Sequence, residues 1–198
     1  MGTGLFRFFL VAVLLSTITV SGYYRHRARQ GNETIPRRRE GLPMLAARML
    51  LALTFLVSVA VHAIAPGLMT WATFPSPIWL RWGGVVLGFL TVPLVAWVLR
   101  SLGRNVSETV LTKSDHELVA TGPYRWVRHP LYTTGVTLMV SLGLMAASWW
   151  LLGFALLAAV LVRYLVIPRE ERELITRFGA RYEDYARSRG AMLPVLFR

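Results

Sequence analysis

LYTTGVTLMVSLGLMAASWWLLGFALLAAVLVRYLVI, running from Leu131 to Ile167, contains a single charged residue, Arg163. Two apolar runs lie in it, Leu131 to about Ala147 and Trp149 to about Ile167. Each is near the lower limit of the roughly 17–25 residues that a transmembrane helix needs. Ser148 and the Trp149-Trp150 pair fall between them, so the stretch reads as a tight helical hairpin in a bilayer.

Working outward, three more apolar runs precede the hairpin, at about residues 5–24, 44–65 and 78–99. The first reads as an anchor helix; a cleaved signal peptide is the alternative, but no small-x-small site precedes Tyr23 and Tyr24. Pro66-Gly67 ends the second run, and the uncharged segment that follows, with Trp71 and Phe74 among prolines, suits an interfacial loop. The expected fold class is all-α: a polytopic membrane helical bundle of about five transmembrane helices with a cytoplasmic C-terminal helical segment. Residues 1–99 form the N-terminal spans, and residues 100–198 a functional region with a loop, the hairpin 131–167 and a polar cap.

Composition agrees. Of 198 residues 55% are hydrophobic and 16% charged, with a mean hydropathy of +0.49, where a soluble domain carries about a quarter charged residues. The net charge is +12. Its arginines cluster between the apolar runs, in 25–48, 100–128 and 163–198, which reads as positive-inside loops rather than a nucleic-acid surface. That bias puts the C-terminus in the cytoplasm and the N-terminus outside. The sequons at Asn32 and Asn105 then face the cytoplasm. With no cysteine, disulfides, thiolate zinc sites and a cysteine nucleophile are excluded. GxGxxG, Walker A and HExxH patterns are absent, and no metal site is expected.

Two segments could carry chemistry. The first runs from Leu118 through Gly122-Pro123-Tyr124-Arg125-Trp126 to Arg128-His129-Pro130-Leu131-Tyr132. Gly122-Pro123 signals a turn. Pro130 biases His129 towards an extended conformation and suits the first turn of a helix. His129 thus sits on a joint at a helix start, among two cations and the aromatic faces of Tyr124, Trp126 and Tyr132, which can hold a flat base or a sulfonium. Headgroup anchoring explains Arg125, Trp126 and Arg128 equally well. The second segment opens at Pro168, with Glu170, Glu171 and Glu173 in a first helical turn, where carboxylates are favoured. One of those glutamates turns into a pocket in the functional reading. Leu174, Phe178, Tyr182 and Tyr185 recur at helical spacing and pack the tail onto the bundle. His62 reads as a packed, hydrogen-bonded histidine, and Arg163 as a snorkelling residue or a substrate cation.

Together the two segments resemble the isoprenylcysteine carboxyl methyltransferase family and its bacterial relatives. The shared pattern is Leu-Val-x-x-Gly-Pro-Tyr, Arg-His-Pro-x-Tyr, a helical hairpin, Glu-Glu and Phe-Gly-x-x-Tyr-x-x-Tyr, over roughly residues 98–190. The resemblance implies S-adenosylmethionine as cofactor, in a cytosol-facing pocket capped by the C-terminal segment. It places His116, Glu117, Leu118, Val119, Tyr124, His129, Pro130, Leu131, Tyr132 and Glu170 at that pocket. In the prenylcysteine enzymes an arginine four residues before the cofactor glutamate is implicated in substrate handling. Val166 stands there in this chain, so Arg163 and Arg169 are the candidates for that catalytic role. The implied substrate is a hydrophobic small molecule or lipidated acceptor bearing a carboxylate, thiol or amine. Partners are the bilayer and that substrate, not nucleic acid, and a monomer is the simplest expectation. Competing expectations are a sterol-type reductase using NADPH, which resembles the Arg-His-Pro-x-Tyr region, and a non-catalytic membrane protein of the same fold.

Overall fold

The computed structural model describes residues 3–30, 42–103 and 118–195. Its helices are α1 (Thr3–Arg29), α2 (Leu42–Ile64), α3 (Ile78–Leu102), α4 (Pro130–Ala146), α5 (Trp149–Leu161), α6 (Ile167–Phe178) and α7 (Ala180–Arg187). Short 3-10 turns lie at Pro66–Ala72 and Gly122–Arg125.

Apolar side chains from five helices meet in one core: Phe6, Leu10 and Val13 of α1, Phe55 and Val59 of α2, Val85 of α3, Leu142 and Met145 of α4, and Leu151 of α5. Close approach of α3 to α4 depends on the small residue Gly84. A Cβ there would meet Leu144 Cβ at 2.8 Å and the backbone of Ser141 and Met145 at 2.9 Å. Small residues that let helix backbones touch are the usual device where lipid removes the hydrophobic drive between helices. Outward-facing Phe8, Leu50, Leu53, Trp79, Val86 and Leu156 are exposed, the inverse of a soluble protein and the expected lipid-facing surface.

The chain turns between α4 and α5 at Ala147 and Ser148, and the second arm continues past Ile167 to Phe178. Ala147 takes the left-handed conformation (φ 50°) and donates its N–H to Gly143 O and Leu144 O, closing α4. The Ser148 hydroxyl accepts from Leu151 N and opens α5, a side-chain N-cap. The segment after α2 folds onto this tip. Phe74 N donates to Ala147 O at 2.9 Å, and Phe74 and Trp71 meet Trp149 and Trp150.

The count of about five spans is corrected. Among the described residues, three helices are long and apolar enough to cross a membrane: Gly4–Ala28, Ile78–Leu102 and Trp149–Phe178. A fourth span exists only if Met49–Ile64 and Pro66–Ala72, bent by 117° at Ala65, count as one. The physical reasons are local. Pro66 cannot continue the ladder of α2. α4 has 17 residues, about 26 Å at 1.5 Å per residue, short of a hydrocarbon core of about 30 Å. Pro168 does not start a separate helix, because α5 runs into α6 through a π-helical turn at Val162–Val166, where Ile167 N reaches back to Val162 O. Pro168 has no N–H to donate to the residue four before it, and the wider turn accommodates that loss.

Candidate functional site

The C-terminal ends of α1 and α3 and the start of α4 lie together, packed through Tyr24, Ala28, Val95, Leu99, Leu102 and Leu131. The loop before α4 crosses this end. Gly122 (φ 60°) lets it press on α3, since a Cβ there would meet Ser101 Oγ at 2.5 Å. Pro123 and Tyr124 are buried in the following 3-10 turn. Leu118 and Val119 are half-buried on the approach to it. His116 and Glu117 lie outside the described residues, as do Asn32 and Asn105.

His129 is the N-cap of α4 (φ −125°, ψ 58°), with Pro130 at the helix start. The ring is buried, 5% exposed, and stacks on Tyr132, centroids 5.8 Å apart at 29°. On its other side stands α6. His129 Nε2 is 3.0 Å from Glu171 Oε1, and since an ionised carboxylate only accepts, the ring N–H donates. His129 Nδ1 lies 3.7 Å from Glu170 Oε2. Tyr132 donates its hydroxyl to the same Glu170 oxygen at 2.9 Å. The Glu170 side chain is 28% exposed, so this half-buried carboxylate can accept from a hydroxyl or an ammonium.

Arg128 locks the arrangement. Its Nε donates to Glu171 Oε1 at 2.7 Å, and its Nη1 donates to the carbonyls of Ala186 and Arg189. The C-terminal tail returns as a backbone strap. Arg128 N and His129 N donate to Gly190 O and Ala191 O, each at 2.9 Å, and Thr133 Oγ1 donates to Met192 O at 2.7 Å. α7 is pinned from beneath, with Tyr182 and Tyr185 buried. Tyr185 donates to Tyr124 O at 2.7 Å. Burial pushes its phenol up to about 12, against the opposing pull of Arg189 and Arg128, so it holds its proton for that bond.

Of the residues singled out in the sequence, His129, Tyr132 and Glu170 converge in one cluster, and Tyr124 joins it through Tyr185. Pro130 sets the joint. Leu131 faces the α1–α3 packing instead. Arg163 and Arg169 are exposed; Arg163 sits in the π turn with its guanidinium over Tyr164, 5.4 Å from the ring centroid. Glu171 and Arg128 have a larger part than the sequence alone gave them. The adjacency of Arg128 to His129 and of Glu171 to Glu170 was the available signal. The strap at 189–192 had none.

The chain is an all-α integral membrane protein in which a His-Pro joint and paired glutamates meet at the basic end of the bundle. Residues 85–176, just under half of the chain, match the model of the isoprenylcysteine carboxyl methyltransferase (ICMT) family. It is similar to the nickel-cobalt-cadmium resistance protein NccN of Alcaligenes xylosoxydans xylosoxydans, 32% identical over 141 residues, 71% of this chain and 62% of that protein. Similarity extends to the cobalt-zinc-cadmium resistance protein CzcN of Cupriavidus metallidurans, 31% identical over 119 residues, 59% and 55% of the two chains. The protein-S-isoprenylcysteine O-methyltransferase of Saccharomyces cerevisiae is 33% identical over 129 residues, 56% of this chain and 49% of that one. The chain thus spans about half to three-fifths of the length of these curated relatives. Its fold resembles that of the eukaryotic intramembrane Ras methyltransferase ICMT, with a TM-score of 0.58 and 19% identity, covering 91% of this chain and 68% of that one.

Proposed function

We propose that the protein is an S-adenosylmethionine-dependent methyltransferase that methylates a hydrophobic or lipid-linked carboxylate, thiol or amine at the cytoplasmic side of a bacterial-type membrane. The observation that carries this reading is the meeting of His129 and Tyr132 with Glu170 and Glu171 across the bundle end. The match of residues 85–176 to the ICMT family model supports the chemistry.

The donor set fits the cofactor. S-adenosylmethionine presents an ammonium, ribose hydroxyls, a flat base and a sulfonium. Glu170 offers a half-buried carboxylate, and Tyr124, His129 and Tyr132 offer aromatic surface for cations and rings. Leu118, Val119 and Pro130 supply apolar walls, and His116, Glu117 and Leu131 complete the set that the family pattern assigns. Bound there, the cofactor supplies a methyl group already activated on a sulfonium. The chain's own residues then have to bind, orient and exclude water. Tyr132 and His129 orient Glu170. Arg128 and Glu171 hold the strap of residues 189–192 against the joint, which shields it from solvent. Arg163 and Arg169 are the candidates for steering an anionic acceptor.

Orientation follows from charge. Arg25 and Arg27 of α1, Arg100 of α3, Arg125 and Arg128, and Arg169 and Arg172 of α6 all belong to the end that carries the site, while Arg7 and Arg81 stand at the other. The positive-inside rule then places the site and the C-terminal segment in the cytoplasm and the start of α1 outside. The test is methyl transfer by the purified full-length protein in detergent, with labelled S-adenosylmethionine and a panel of hydrophobic thiols, carboxylates and amines. Labelled product from the panel supports the reading. Transfer only to water-soluble acceptors overturns the lipid-borne substrate, and hydride transfer from NADPH overturns the reaction class.

A further inference from the structure

The opposite end of the bundle holds a cavity of about 410 Å³, within the roughly 300–1,000 Å³ of small-molecule sites. Its wall includes Phe6 and Arg7 of α1, His62 in the last turn of α2, Thr70 of the 3-10 turn, Arg81 of α3 and Met145 of α4. It contains none of the residues of the His129 cluster.

His62 is 4% exposed, and its Nδ1 lies 2.8 Å from Ser58 O. A carbonyl only accepts, so Nδ1 carries the proton and Nε2 of the neutral ring presents a lone pair. That Nε2 is buried and has no hydrogen-bond partner among the described residues. Buried polar atoms without partners are rare and destabilising, so one in the wall of a cavity points to a ligand that donates to it. Fixed positive charge lines the same cavity. Arg81 donates through Nε and Nη2 to Met145 O at 2.9 and 2.7 Å, and its guanidinium rests 4.1 Å from the Phe6 ring centroid. Arg7 adds a second cation, and neither Asp nor Glu is among the residues that line the cavity.

A ligand matched to this wall is negative on one side and donates a hydroxyl on the other. We propose that the cavity binds a hydroxyl-bearing phosphate of the phosphoglycerol type, its phosphate against Arg81 and Arg7 and its hydroxyl donating to His62 Nε2. The group can arrive as a lipid headgroup or as a free phosphate ester. Exposed Leu68, Ile78 and Trp79 flank this end of the bundle and place it at the lipid boundary.

The inference does not rest on the methyltransferase reading, and its test needs no activity. Full-length protein is placed in nanodiscs of phosphatidylcholine with or without phosphatidylglycerol, and separately in neutral detergent with glycerol 3-phosphate or inorganic phosphate. Melting temperature and lipid retention by native mass spectrometry are read for the unmodified chain, His62→Leu, Arg81→Gln and Arg7→Gln. The expected result is a rise of several degrees and at least fivefold preferential retention of phosphatidylglycerol, both lost in His62→Leu and reduced in Arg7→Gln. A rise with glycerol 3-phosphate in detergent assigns the free ester as the source, and a rise confined to nanodiscs assigns the lipid. Equal retention of the two lipids with no response to either free phosphate overturns the proposal. So does a response that is unchanged in all three variants.

Discussion

His129 and Glu171, 42 residues apart in sequence, meet with Nε2 and Oε1 separated by 3.0 Å. The same oxygen receives Arg128 Nε at 2.7 Å. One carboxylate therefore fixes both the imidazole at the start of α4 and the arginine that holds the C-terminal strap.

Glu171→Ala leaves Arg128 and His129 without their shared acceptor. The side chains of Arg128 and Glu171 are 16% and 21% exposed, so solvent screens part of the loss. A destabilisation of about 1–2 kcal/mol follows. Thermal unfolding in detergent measures it, and an unchanged melting temperature would refute the pairing.

Arg128→Lys keeps the charge but lacks the planar fork that reaches Glu171 and two carbonyls at once. The strap at residues 189–192 should loosen in this variant nearly as much as in Arg128→Ala. Limited proteolysis should then cut C-terminal to Phe178 several times faster. Protection equal to that of the unmodified chain would show that the strap does not depend on the guanidinium.

Two glycines should respond oppositely to alanine. At Gly84 a Cβ meets backbone of α4 at 2.9 Å, whereas at Gly135 it meets nothing within 4 Å. Gly84→Ala should cost about 1–3 kcal/mol through overpacking. Gly135→Ala should be neutral or stabilise by up to about 1 kcal/mol through helix propensity. The two melting temperatures decide the matter.

Tyr185 donates to Tyr124 O, and burial raises its phenol from 10.0 to about 12. A raised folded-state value favours the protonated phenol. This contribution is therefore complete below pH 10 and is lost as pH climbs through 12. Tyr185→Phe should cost about 1 kcal/mol near neutrality and flatten the fall in melting temperature between pH 10 and 12. An identical alkaline profile in the variant would assign that fall to other groups.

The helical hairpin was legible because its signals are local. Ser148 caps α5, and a single uncharged turn divides two apolar runs. The number of spans was not, because run length does not report whether α2 bends at Ala65 or whether α5 and α6 fuse through a π turn. That same turn explains why the sequence could not rank Glu171 beside Glu170. Both sit in one helical turn, and an extra residue in the turn before them rotates the helix face by about 100°. His129 and Tyr132 were readable from Arg-His-Pro-x-Tyr, since a proline after the histidine forces the joint. The pairing of 128–129 with 190–191 is an isolated backbone contact without side-chain periodicity, so no pattern announced it.

The most direct test is a calorimetric titration of S-adenosylmethionine into purified full-length protein, alongside His129→Ala and Glu170→Gln. The account predicts one site per chain, weakened at least about tenfold in each variant. Binding that both variants leave intact, or heat released by NADPH and not by S-adenosylmethionine, would contradict it.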